Sequence, residues 1–403
     1  MDVKSGYPWW LVSNGLSHEY PPLRDDCACE VAIIGAGITG ALIANALMDV
    51  GMDIVVLDQR DVGWGSTAAS TALLQYEIDI ELIELEEVIG KSEALRAYHA
   101  CEGGVRKLGQ IASELDGVGY LDCESLYFAS SPKHVKRLRA EYARRRSKGF
   151  DVQWLGEQPL HDRFELEAPA ALLSRPAAQI DPYAFAHALF ARKCAQGLRL
   201  FDRTRVASIT CDPSHVELQT EHGPLVRARH VIVAAGYETE RFLPKTVARN
   251  RSSYAFVSEP LDPFPRALNG CVGWETARPY IYWRVTDDGR LIVGGEDDPI
   301  DNALKRDLKV AAKSRKLLKR MGELFPRLSL EIGFAWGGTF AETVDGLPWF
   351  GPHSKSDPRI LFAMAYGGNG ITYSVIGAQI LRERLLGREH EMAHLFGFDR
   401  VSR

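Results

Sequence analysis

VAIIGAGITGALIANALMDVGMDIVVLDQ, residues 31–59, is the stretch that decides the fold. Val31–Ile34 is a short, largely β-branched run suited to a buried parallel strand. Gly35, Gly37 and Gly40 follow it as G-x-G-x-x-G. In that pattern the first glycine turns the chain and the second lets the backbone approach a pyrophosphate. The third lets the next helix lie close to the sheet. Ile38 and Thr39 open that helix, whose free N–H groups and positive dipole end suit phosphate. Ile54–Leu57 is a second apolar strand, closed by Asp58 and followed by Gln59 and Arg60. A carboxylate at that place can accept from a ribose 2′-hydroxyl and repels a 2′-phosphate, which argues against NADP. The stretch is therefore an adenine-dinucleotide site; by itself it fits FAD and NAD equally.

A chain of 403 residues exceeds one ordinary core, so about two or three domains are expected. The balance of 46% hydrophobic and 25% charged residues is that of a globular protein. A net charge of −5 gives no field to attract nucleic acid, and Arg144–Arg146 reads as a solvated helix face. Seven cysteines form no C-x-x-C pair and no metal spacing, as expected of reduced thiols in a cytoplasmic protein. The start MDVKSGYPWW lacks the apolar core of a signal peptide, and no transmembrane segment is expected.

After Asp58 comes GWGSTAASTALLQYEID, residues 63–79, which has almost no side-chain bulk from Gly65 to Ala72. Gly65, Ser66, Thr67, Ser70, Thr71, Ala72 and Leu73 would let a backbone lie along a flat, extended ligand. Residues 80–118 and 132–149 carry the apolar spacing of amphipathic helices, with a strand pair expected across 120–130. Asp181-Pro182 caps another helix. A hairpin is expected at 205–220, and RHVIVAA, 229–235, is a buried strand ending at Gly236. Residues 251–296 change texture to the period-2 alternation of an antiparallel sheet. There Tyr280, Tyr282 and Arg284 share one strand face. One helix is expected over 303–325, followed by TVDGLP, a strand LFAMA and the turn YGGNGIT opening a last helix.

Gly35–Gly40, Asp58, the small-residue run, Val231–Gly236, Thr343–Pro348 and Gly367–Thr372 occur in an order that resembles the D-amino-acid oxidase superfamily. That superfamily of FAD-dependent enzymes includes glycine, sarcosine and amine oxidases. The resemblance runs from about residue 30 onward, and T-x-D-G-x-P followed by G-G-x-G separates it from NAD dehydrogenases. It implies an α/β protein (α+β overall): a Rossmann-like FAD-binding domain with an inserted substrate domain on a large antiparallel sheet. On this basis residues 1–90, 177–245 and 336–403 are assigned to the FAD-binding domain, and 91–176 and 246–335 to the substrate domain. The resemblance also implies noncovalent FAD, with Val206 on the adenine side and Ala235 and Gly236 along the dinucleotide. Gly346, Gly368, Asn369, Gly370, Ile371 and Thr372 would lie near the flavin, the last helix pointing its N-terminus at it. Family members often carry S-x-R-N-x-G where this chain has Ser66–Ala72, so its flavin contacts are expected from backbone and hydroxyl groups.

The chemistry so implied is hydride transfer from the C–N carbon of an amino acid or related amine to flavin N5, giving an imine that hydrolyses. Either O2 or another acceptor would take the electrons. Arg284 with Tyr280 and Tyr282 is the candidate clamp for a substrate carboxylate; Tyr76 and Tyr254 are further candidates. Two alternatives stay open: oxidation of a 2-hydroxy acid, for which no base is evident in the sequence, and a flavoprotein subunit that carries electrons for partners.

Overall fold

The computed structural model describes residues 2–263, 268 and 270–402. Its organising strand is Cys27–Ile34, flanked in parallel by Ile54–Leu57 and by Leu225–Val233. Arg199–Phe201 extends the sheet on one side and Ile360–Met364 on the other, both parallel, and Trp349–Pro352 closes the edge antiparallel. Val31, Ala32, Ile33, Val55, Val56 and Val231–Val233 have no solvent exposure, because helices and packing cover both faces of a parallel sheet. Helix Ile38–Met48 packs against helices Gly370–Leu385 and Pro182–Ala195 on this sheet. Asp181 caps the last of these as expected, its Oδ1 accepting from the N–H groups of Tyr183 and Ala184 at 2.9 Å each. The hairpin Val206–Cys211 and Val216–Thr220 joins the near end of Leu225–Val233.

Among the described residues the second sheet has ten strands. Its core runs Ile332–Glu342, Arg249–Ser258, Leu291–Asp298, Ile281–Val285, Cys271–Glu275, Leu121–Phe128 and Ala170–Gln179. It is antiparallel except where Cys271–Glu275 lies parallel to Leu121–Phe128. Helix Val310–Leu324 covers one face through Leu317 and Met321. The other face looks toward the glycine turn.

Sheet membership shifts the expected boundaries. Lys4–Gly6 and Leu73–Gln75 hydrogen-bond into the second sheet, although they fall within 1–90. Helix Lys91–Ala112 packs on Gly370–Leu385 in the core beneath the first sheet, because its buried face (Ala94, Ala97, Tyr98, Cys101, Val105) has its apolar partners there. Strands Ala170–Gln179 and Ile332–Glu342 run across the assumed limits at 176 and 336. The expected strand pair at 120–130 is one strand, Leu121–Phe128, since LDCESLYF has no glycine, proline or asparagine to reverse the chain. The single helix of 303–325 is two, Ala303–Asp307 and Val310–Leu324.

Candidate functional site

Between the sheets lies an elongated cavity of about 2060 Å³ including its open mouth. The glycine turn forms one wall. Gly35 sits at φ +120°, and a Cβ there would stand 2.2 Å from the Ala234 carbonyl oxygen. A Cβ on Gly40 would stand 2.0 Å from the Gly35 oxygen, so this glycine sets the helix against the strand. Gly37 faces the cavity beside Thr67, whose Oγ1 accepts from Ile38 N–H at 3.0 Å. Thr39 ties this helix to the last one through Ser374 Oγ, 2.8 Å away.

Asp58 lines the cavity, with Oδ2 accepting from Ala36 N–H at 2.6 Å and Oδ1 from Arg60 N–H at 2.8 Å. Burial pushes its carboxyl up to about 6 while those two N–H groups oppose the shift. Beside it Gln59 and Arg60 both reach Glu238, and Val206, Ala235 and Gly236 complete this end.

The small-residue run forms the floor. Gly65, the single turn Ser66–Ala69, then Ser70, Thr71, Ala72 and Leu73 all border the cavity. Three side chains from below hold its carbonyls away from the ligand space. Trp336 Nε1 donates to Ala69 O (2.9 Å), Trp10 Nε1 to Ser70 O (2.7 Å), and Arg284 Nη1 to Ala72 O (3.1 Å). Ala72 takes a left-handed φ of +55° where that last contact forms.

This corrects the reading of Arg284 as a substrate clamp. The side chain is 1% exposed, its guanidinium also reaches Ile180 O, and it does not border the cavity. Two further candidates are corrected. Tyr76 is fully buried, its ring stacked on Phe150 at 5.2 Å in the core. Tyr254 borders the cavity, but its ring turns to the helix side of its strand, its Oη donating to Asp298 at 3.3 Å with Lys313 over the ring. Gly346 and Thr372 are outside the cavity wall. Gly346 forms a turn whose oxygen accepts from Tyr373 Oη, and Thr372 packs on Gly104.

Gly368, Asn369, Gly370 and Ile371 do border it, opening the last helix toward the space. Asn369 is fixed by donating to Glu77 O at 2.6 Å. Opposite stand Tyr280 and Tyr282, ring centres 5.7 Å apart, joined by Tyr237 and Trp274. Here the structure adds two carboxylates the sequence reading missed. Asp79 accepts from Tyr280 Oη at 3.2 Å and from Gly368 N–H at 2.8 Å. Asp297 lies between Glu296 and Asp298, which turn to Lys316, Arg320, Lys309 and Lys313 on the covering helices. Strict alternation from Ile292 and Gly294 would turn Glu296 inward; the left-handed backbone at Glu296 (φ +57°) and the register shift beside it bring Asp297 to the cavity instead, so no sequence pattern pointed to it. Burial, reinforced by Asp79, pushes its carboxyl up to about 7, against Ser253. No cysteine, histidine or lysine is among the described lining residues.

The cradle fits a dinucleotide: Gly37 brings the start of one helix to the cavity wall with no side chain between, and Gly368 and Gly370 bring the start of another to the far end. A family model described as "FAD dependent oxidoreductase" matches residues 30–384. A putative Rieske 2Fe-2S iron-sulfur protein of Bacillus subtilis (strain 168) is 23% identical over 399 residues, covering 96% of this chain and 74% of that protein. Gamma-glutamylputrescine oxidoreductase of Escherichia coli (strain K12) is 25% identical over 400 residues, 92% of this chain and 87% of the relative. The crystal structure of glycine oxidase from Geobacillus kaustophilus shares the fold, with a TM-score of 0.74 at 22% identity over 92% of this chain and 98% of that one.

Proposed function

Because the chain belongs to the FAD dependent oxidoreductase family, we propose that it oxidises the C–N bond of an amino acid or related amine to an imine, which water hydrolyses. The observation that carries this reading is one continuous cavity, running from the Asp58 cradle to a chamber walled by Tyr237, Tyr280, Tyr282, Asp79 and Asp297. The relatives named for glycine and gamma-glutamylputrescine oxidation support the C–N class. FAD, when bound, supplies the two-electron acceptor. Gly37, Ile38 and the Ser66–Ala72 floor would hold its dinucleotide and ring, and the Gly370 helix end would favour negative charge beside it.

An alkylammonium cannot be oxidised until it loses a proton. Asp297 borders the chamber and can take that proton once ionised. Burial pushes its carboxyl up to about 7. It therefore accepts protons above that pH and fails below, so kcat/KM should rise with pH through about 7. Asp297→Asn should remove that limb of the profile, as stopped-flow flavin reduction between pH 5.5 and 9 would show. An unchanged limb assigns the proton acceptor elsewhere. Asp297 also answers the lack of a base that weighed against hydroxyl oxidation, so 2-hydroxy acids belong in the same screen.

The deciding experiment is anaerobic mixing of the yellow holoenzyme with amino acids, amines and 2-hydroxy acids, followed by air. Bleaching by a C–N substrate is the expected result, and bleaching only by 2-hydroxy acids would replace the proposal. Re-oxidation in air distinguishes an oxidase from a dehydrogenase. The protein should release FAD, not FMN, on acid precipitation.

A further inference from the structure

Among the described residues the chamber wall carries anions and aromatic faces but no cation. Arg60 and Arg241, the cationic lining residues, belong to the far end, where Arg60 reaches Glu238 and Arg241 donates to Val206 O. Arg284 is spent on the carbonyls of Ala72 and Ile180. Arg251, on the strand beside Ser253, pairs with Glu342. Arg278 is outside the wall, exposed, with its guanidinium 4.8 Å above the Tyr280 ring and donating to Asp79 O.

The acceptors are not all used. Both Asp79 oxygens have a donor, but Asp297 Oδ1 is buried with no hydrogen-bond partner. A buried carboxylate oxygen without a donor is costly, so its position in a ligand chamber points to a donor that arrives with the ligand. Tyrosine and tryptophan faces attract cations. A carboxylate on the reacting carbon would instead stand against Asp79 and Asp297, with no arginine among the described residues of the chamber wall to receive it.

We propose that this chamber selects an alkylammonium substrate with no carboxylate on the reacting carbon, its N–H groups bonded to Asp297 Oδ1 and Asp79 within the Tyr280–Tyr282 rings. The inference rests on the amine-oxidising reading above and narrows its substrate class. It also replaces Arg284 with Asp297 as the residue that determines specificity.

The test uses holoenzyme and two probes it cannot turn over, butyltrimethylammonium and benzoate, each titrated against the visible flavin spectrum. Butyltrimethylammonium should perturb the spectrum at a concentration at least tenfold below that of benzoate. Asp297→Asn and Asp79→Asn should each weaken the cation tenfold or more. Asparagine can still accept the Gly368 N–H, and an unaltered flavin spectrum in the free variant shows that the site is intact. Butylamine should exceed 2-aminopentanoate, the same chain with a carboxylate, by at least tenfold in kcat/KM. Tighter benzoate binding, unchanged cation affinity in both variants, or preference for 2-aminopentanoate overturns the proposal. In the last case amine oxidation itself stands. If neither compound nor any other amine bleaches the flavin, the oxidation reading fails, while the probe titration still reports whether the chamber prefers cations.

Discussion

Gly37→Val should give a folded, colourless protein. Gly37 has φ −82°, which any residue adopts, so backbone strain is not the reason. Its side-chain direction is the reason. A Cβ would lie 3.0 Å from Thr67 Oγ1, and the valine methyls beyond it would crowd the hydroxyl that holds the Ile38 N–H at the cavity wall. The cavity beside that wall is the approach to the helix N-terminus that a pyrophosphate needs. Loss of the approach and its N–H contacts should weaken FAD by at least a hundredfold, about 2.7 kcal/mol. Visible absorbance after desalting reads the loss, and far-UV circular dichroism should match the parent. Full FAD content would move the pyrophosphate off the turn. Gly40→Val makes the contrast, because its Cβ would meet the Gly35 carbonyl at 2.0 Å and should damage the fold itself.

Arg284→Met should behave as a defect of the cavity floor. The guanidinium donates to Ala72 O and Ile180 O in a site with 1% exposure, and no carboxylate lies within ion-pair distance among the described residues. Burial without such a partner lowers its pKa to about 10, still well above neutrality, so it remains charged. Methionine keeps the apolar stem and leaves two or three carbonyls without donors, at a cost of about 3 kcal/mol. The expected outcome is a fall in Tm of a few degrees together with loss of FAD on dialysis, and the remaining holoenzyme keeps its KM. Calorimetry and steady-state kinetics on the reconstituted variant check both halves. A raised KM for carboxylated substrates at unchanged Tm would return Arg284 to the role of clamp.

The cofactor half of this site was legible because its chemistry is local. A glycine turn, a terminal acid and a helix start sit within one short stretch, and spacing alone identifies them. The substrate half was not, because its residues come from strands remote in sequence. Tyr280, Tyr282 and Arg284 do alternate to one face of a strand, yet the chamber reaches only the first two, and the floor carried by Ser66–Ala72 lies over the third. Which face of the second sheet is wet depends on helix Val310–Leu324 covering the other, and Tyr254 fell on the covered side. Asp79 and Asp297 carry no motif. They became visible only when Gly368 and Tyr280 were brought to the same place.

The strand pairing sets an order of events during synthesis. Cys27–Ile34 gains its inner neighbour only when Leu225–Val233 has been made, and that strand gains its second parallel neighbour when Ile360–Met364 follows. Lys4–Gly6 waits for Ile332–Glu342. Pairings so distant along the chain close slowly. On a translating ribosome the glycine turn would therefore emerge early but remain half-walled until the last helix left the exit tunnel. Ribosome-bound chains stopped before residue 360 should retain no FAD, and its capture would be among the final steps of maturation rather than a template for the earlier ones.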